Sequence, residues 1–272
     1  MPMISSSPFA TWRRASSALR PALAALLLVL AMPSPARPEG PTSYRPLYGE
    51  MLAEYTQAVD AEVGTRVDYP GLLAEPRWKQ MLGLLAAVEP SKLLGREDKL
   101  AFWINAYNIL AIDLVLSHYP VESIRDIGFF LRPVWKHEAG RIGGRGYSLA
   151  DIEHRILRGM KDPRIHGAIV CASVSCPSLA RNPYRGDRLD AQLAAANRAW
   201  LARPEKGLVV ERPKEILRIS RVFYWFARDF GGREGVLEFV HQHAPEADAA
   251  WIGANLPRLR VKYFDYDWGL NE

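Results

Sequence analysis

Apolar residues recur every three or four positions from Leu47 to Asp60 (Leu47, Met51, Leu52, Tyr55, Val59), and this spacing predicts a helix. VDYPGLLAE follows as a short strand or extended turn, then RWKQMLGLLAAVEP as a second helix that Pro90 closes. The third helix has a different character. It starts near GREDKL, with Glu97 and Asp98 in its first turn where they complement the helix dipole, and it ends before Pro120. From Leu100 to Leu116 it is apolar on nearly every side, which predicts a central, buried helix. Asn105 and Asn108 are set into it three apart, on one face. A buried amide without partners costs about 1–3 kcal/mol, so both are expected to be hydrogen-bonded.

Further along, GGRGYSLADIEHRILRGM reads as a turn and a helix capped by Ser148, with Asp151 completing a capping box. On that helix Glu153 is expected at the surface and His154 toward the interior. Ile165 to Cys171 is short and β-rich and is expected to be a strand with a loop after it. LDAQLAAANRAWLARP predicts another helix, and GLVVERPKEILRIS two short strands joined by Arg212-Pro213-Lys214. YWFARDFGGREGVLEFVHQHAP supplies the last helices, with His241 and His243 expected in a solvated turn, and VKYFDYDW a terminal strand. Helices outnumber strands and the strands come late. The expected fold class is α+β: a mostly helical N-terminal half with a small mixed or antiparallel sheet.

The N-terminus reads differently. Arg13, Arg14 and Arg20 form a basic stretch without acids ahead of the apolar run Ala22 to Met32, in the outline of a signal peptide cleaved after Ala36, with an uncleaved N-terminal anchor as the alternative. Eleven apolar residues fall short of the roughly 20 that span a membrane. The expected organisation is a signal peptide over 1–36, a proline-rich linker over 37–46 and one domain over 47–272, in a periplasmic or secreted protein. The whole chain carries 35 Lys and Arg against 30 Asp and Glu. Without residues 1–36, which hold three Arg and no acid, the balance is 32 against 30, a net of +2. The basic character lies mainly in the leader and gives no ground for nucleic-acid binding.

Five ordered blocks, LAFWINAYNILAI, YSLADIEHRILR, DPRIHGAIVCASVSCPSL, ISRVFYWFARDFG and KYFDYDW, resemble those of the domain of unknown function 547 (DUF547) family, from about Val67 to Asn271. The resemblance implies a fold and a site without an agreed activity. It draws attention to Trp103, Asn105, Tyr107 and Asn108 on the buried helix, to Glu153 and His154 on the capped one, and to His166, Cys171, Ser175 and Cys176. Gly167 stands where a bulky residue is expected. The order of helix and sheet also resembles a papain- or transglutaminase-style core, in which the helix would carry a nucleophilic cysteine; here it carries Asn105 and Asn108.

HGAIVCASVSCP (His166 to Pro177) holds the only two cysteines of the chain, and three readings stand. Four intervening residues let Cys171 and Cys176 close a disulfide, which an oxidising compartment favours. Alternatively one cysteine is a nucleophile served by His154 or His166, with Glu153 or an asparagine orienting the base. His166, Cys171 and Cys176 as zinc ligands is the third, though their spacing matches no standard knuckle. Asn105 and Asn108 either tie the helix to neighbouring loops or face a cleft and hold a substrate carbonyl or oxyanion; Trp103, Tyr107 and Ser175 are further binding candidates. GRIGGRG reads as a turn and not a phosphate loop, and no motif implies a cofactor. The reading is a binding module of the cell envelope for a protein, peptide or small molecule, with a Cys171–Cys176 disulfide. The alternative is a thiol-dependent hydrolase or transferase acting on an amide, ester or peptide.

Overall fold

The computed structural model describes residues 43–128 and 133–272. The expected signal peptide lies outside the described residues, as does most of the expected linker. The first helix, α1 (Tyr44–Tyr55), begins inside that linker: the Ser43 side chain accepts the Arg45 N–H at 3.3 Å, and Tyr44 and Tyr48 bury against the core. Strands β1 (Thr56–Ala58) and β2 (Thr65–Val67) pair antiparallel. Helices α2 (Tyr69–Ala74) and α3 (Pro76–Ala86) follow, each with proline in its first turn, where no N–H is missed.

α4 (Arg96–Leu116) is the 21-residue axis of the fold and is buried from Leu100 to Ile112 without interruption. It is long and apolar enough to cross a membrane, but 89% of its apolar window is buried inside the protein, as the sequence pattern predicts for a core helix. The hairpin β3 (Glu138–Ile142) and β4 (Arg145–Ser148), not foreseen in the sequence, turns on Gly143 and Gly144 at φ 56° and 78°, conformations that favour glycine. A wide helix, Asp151–Leu157, follows. Its capping box forms as expected: Ser148 Oγ accepts the Asp151 N–H at 3.0 Å while Asp151 accepts the Ser148 N–H at 3.1 Å.

The expected strand from Ile165 to Cys171 does not form. Asp162 accepts the Arg164 N–H at 3.1 Å and starts a short 3-10 turn, Pro163–Gly167. Beyond it, one side chain takes the backbone groups that a neighbouring strand would have taken. The Asn108 amide donates to the Ala168 carbonyl at 3.0 Å, and its oxygen accepts the Val170 N–H at 2.8 Å. Asn105 does the same for Tyr184, whose N–H and carbonyl it meets at 2.8 Å each. Gly167 is also explained: a Cβ there would stand 2.3 Å from the Asn197 side-chain oxygen, so an asparagine fills the room a bulky residue would need.

The C-terminal part runs α5 (Leu189–Leu201), β5 (Leu208–Glu211), β6 (Ile216–Ile219), α6 (Val222–Trp225), α7 (Gly232–His243), α8 (Glu246–Asn255) and β7 (Arg260–Tyr263). β5 and β6 pair antiparallel across Arg212–Lys214, and β7 joins β6 in parallel, giving a small mixed sheet. The fold is α+β. His241 and His243 close α7 instead of lying in a turn, and His243 stacks on Phe239 at 4.2 Å. Buried apolar residues form two clusters, one around α4 and one around the mixed sheet and α7. Tyr266 packs against both.

Replacing Asn108 with Ala leaves two buried backbone groups unpaired. A loss of about 3 kcal/mol in unfolding free energy is expected by urea denaturation; a loss below about 1 kcal/mol would show that the clamp on residues 168–170 is not needed.

Candidate functional site

A cleft of about 250 Å³ opens where the two clusters meet. One wall comes from α4, the wide helix and the stretch after it: Tyr107, Glu153, His154, His166 and Ile169. Trp225 and Phe226 face them from the end of α6, Tyr266 and Trp268 come from the C-terminal segment, and Trp135 completes the aromatic lining. Cys171 and Cys176 form part of the cleft lining as a disulfide with Cα atoms 6.4 Å apart. All five sequence blocks therefore deliver residues to one place.

His166 is the most constrained of the candidates. Its ring stacks on Phe226 at 4.3 Å, and Nε2 meets Asp229 Oδ2 at 2.8 Å. Asp229 is held by a two-pronged Arg158 contact, Nε to Oδ2 at 2.6 Å and Nη2 to Oδ1 at 2.8 Å. Hydrogen bonds and charge from His166 and Arg158 outweigh burial and keep the Asp229 carboxyl well below the usual carboxylate range. A carboxylate so placed fixes the proton on Nε2, leaving Nδ1 as the free lone pair of a neutral ring. Burial lowers the His166 pKa despite Asp229, so the neutral form dominates at pH 7.

Glu153 and His154 exchange the places expected for them. The wide helix is wound with bonds five residues apart, the Arg158 N–H reaching the Glu153 carbonyl, so its faces fall out of phase with an ordinary helix. Glu153 turns inward to accept from the Tyr107 hydroxyl at 3.4 Å. Burial pushes its pKa up to about 7, against the pull of Arg158. His154 lies at the exposed edge, its Nδ1 facing Arg158 Nη1 at 3.2 Å, and burial together with Arg158 lowers its pKa. One carboxyl is thus protonated near neutrality while another, Asp229, is fixed as an anion: different environments separate an acid from the partner of a base.

Among the other candidates, Asn105 and Asn108 do not reach the cleft, since their amides are engaged on backbone. Trp103 packs between Phe102 and Tyr147, at 5.1 Å from each. Ser175 ties the cysteine loop to Glu62 and to the Asp267 N–H, at 2.9 Å each. Among the described residues, no three His, Cys, Asp or Glu side chains are placed to hold a metal ion.

The sequence reading missed Arg158, Asp229, Tyr266 and Lys206. Asp229 and Tyr266 sit in the quoted blocks ARDFG and KYFDYDW, whose aromatic density was the available signal. Lys206 had none. Its buried ammonium donates to the carbonyls of Val63 at 2.9 Å, Val174 at 3.0 Å and Cys176, stitching the cysteine loop to the β1–β2 turn. Burial brings its pKa down to about 7.

Residues 91–201 match the family model for a protein of unknown function, DUF547. That segment is similar to DUF547. That segment contains Tyr107, Glu153, His154, His166 and both cysteines; the Trp225–Phe226 and Tyr266–Trp268 walls lie beyond it. Neither a curated protein nor a solved structure matches the chain.

A carboxyl that titrates near 7 in the fold and near 4.5 when unfolded stabilises the protein fully below pH 4.5, and this contribution is lost as pH rises through 7. Wild-type stability is expected to fall by up to about 3 kcal/mol between pH 5 and 8 relative to Glu153→Gln. Parallel urea curves for the two proteins across that window would contradict the assignment.

Proposed function

We propose that this chain is an exported binding domain whose aromatic cleft takes a peptide segment or a small amide-bearing molecule, with the Cys171–Cys176 disulfide in its lining. The observation that carries the reading is the convergence of five separate stretches on one aromatic-walled cleft with a few placed polar groups, the usual anatomy of a small-ligand site. The volume, about 250 Å³, fits one side chain and its flanking amide better than a large cofactor. Protonated Glu153 is a donor suited to a carbonyl, and the indoles of Trp135, Trp225 and Trp268 offer flat apolar faces. Export rests on the basic and apolar leader pattern and agrees with an oxidised cysteine pair.

A second reading has its own support. His166 held by Asp229, with Nδ1 unbonded among the described residues, lines the same cleft as the acid Glu153 and the two sulfurs. Once the disulfide is reduced, that set has the parts of a thiol-dependent hydrolase or transferase acting on an amide, ester or peptide.

Tryptophan fluorescence titration with acetylated aromatic amino-acid amides separates the readings. The binding reading expects a saturable change in the oxidised protein that weakens at least tenfold in Trp225→Ala and as pH rises above 7. No saturable change, or one indifferent to Trp225→Ala, would count against it. Ester or amide cleavage that appears only after reduction and vanishes in Asp229→Asn would instead favour the enzyme.

A further inference from the structure

The Cys171–Cys176 bridge is surrounded by more hydrogen-bond donors than a disulfide can use. The Cys171 N–H points at Cys176 Sγ from 3.0 Å and the Tyr266 hydroxyl donates to it from 3.1 Å, while the Ser173 hydroxyl lies between the two sulfurs, 3.0 Å from Cys171 Sγ and 3.4 Å from Cys176 Sγ. A bridged sulfur is a weak acceptor. A thiolate is a strong one, and hydrogen bonds to a charged group are shorter and stronger than those to a neutral one. The Cys171 N–H and the Tyr266 hydroxyl therefore favour the state in which the bond is broken and Cys176 carries the charge.

The two sulfurs also differ in access. Cys176 is buried at 4% exposure, whereas Cys171 is only half-buried, and both border the cleft. The loop is fixed on both sides: Val174 and Ser175 N–H groups bond to the Gly269 and Asp267 carbonyls at 2.8 and 3.2 Å, and Lys206 holds the Val174 and Cys176 carbonyls. Opening the bridge need not disperse the donors, because these ties do not involve the sulfurs.

We propose that this disulfide is exchangeable and that the cleft admits a thiol-bearing partner. An incoming thiolate attacks Cys171 Sγ, the S–S bond breaks, and its electron pair leaves on Cys176 Sγ, which the Cys171 N–H and the Tyr266 hydroxyl stabilise. The product is a mixed disulfide between the partner and Cys171. A second thiolate attacking the partner's sulfur releases a disulfide, leaving Cys171 and Cys176 reduced and two thiols oxidised. Stabilisation of the leaving thiolate accelerates such exchange and makes the bridge an oxidant. The exchange depends on the loop and on access from the cleft, and is independent of peptide binding.

Reduced glutathione is the probe, added to the intact oxidised protein, with acid quench and mass analysis of peptides. The expected adduct is on Cys171, forming at least tenfold more slowly in Tyr266→Phe. The Cys171→Ser protein, in which Cys176 is a lone thiol, gives a second readout: its alkylation rate should follow a pKa below the ordinary value of about 8.5, and adding Tyr266→Phe should raise it. An adduct on Cys176, no adduct at all, or a Cys176 pKa at or above the ordinary value would each overturn the proposal. Because the alkylation of Cys176 involves no peptide, failure here leaves the fluorescence titration to be judged separately.

Discussion

The clamp that Asn108 places on residues 168–170 is the contact on which the site depends. A helix buried on all sides offers its neighbours no free backbone donor or acceptor, so only side chains can hold a neighbouring chain in register. Asn108 does this with both ends of one amide, and Asn105 repeats it at Tyr184. The stretch so held carries His166 at one end and the cysteine loop at the other. Because the tie is made by a side chain, the stretch needs no strand partner, and its other side is free to line a cleft.

From this anchor the site is built outward in layers that correct one another's electrostatic costs. Burying His166 against Phe226 disfavours its charged form; Asp229 fixes its tautomer, and Arg158 in turn keeps Asp229 ionised. On the same wall, Glu153 has Tyr107 for a partner but no cation close enough to outweigh burial, so it holds its proton near neutrality. Lys206 secures the loop from behind through three carbonyls. Nearly every polar contact is thus assigned to orientation, and the surfaces left for a ligand are aromatic faces, one carboxyl, one imidazole nitrogen and the disulfide.

Much of the fold was legible in the sequence because its signals are local. The all-round apolar run marked α4 as a core helix, Ser148 and Asp151 marked a helix start, and Arg212-Pro213-Lys214 marked the turn between β5 and β6. The failures share a cause in contacts distant along the chain. Ile165 to Cys171 has strand composition, but its hydrogen bonds are taken by Asn108, some 60 residues earlier. The phase of Glu153 and His154 was lost because the wide helix departs from the ordinary period. The cleft was half visible: His166, Glu153, Tyr107 and the cysteines could be singled out, whereas Asp229 and Tyr266 gain meaning only when the C-terminal segments fold back onto them.

The state of the two sulfurs underlies the lining of the cleft and the proposed exchange. Tryptic cleavage after Arg164 and Arg181 places both cysteines in one peptide, residues 165–181, which can be weighed without reductant after the intact protein has been exposed to an alkylating reagent. A closed bridge predicts a peptide about 2 Da lighter than the dithiol, from the two hydrogens lost, and unalkylated until reductant is added. Two alkylated cysteines in protein that has never met reductant would contradict it, leaving free thiols beside His166 and giving the hydrolase reading the stronger claim.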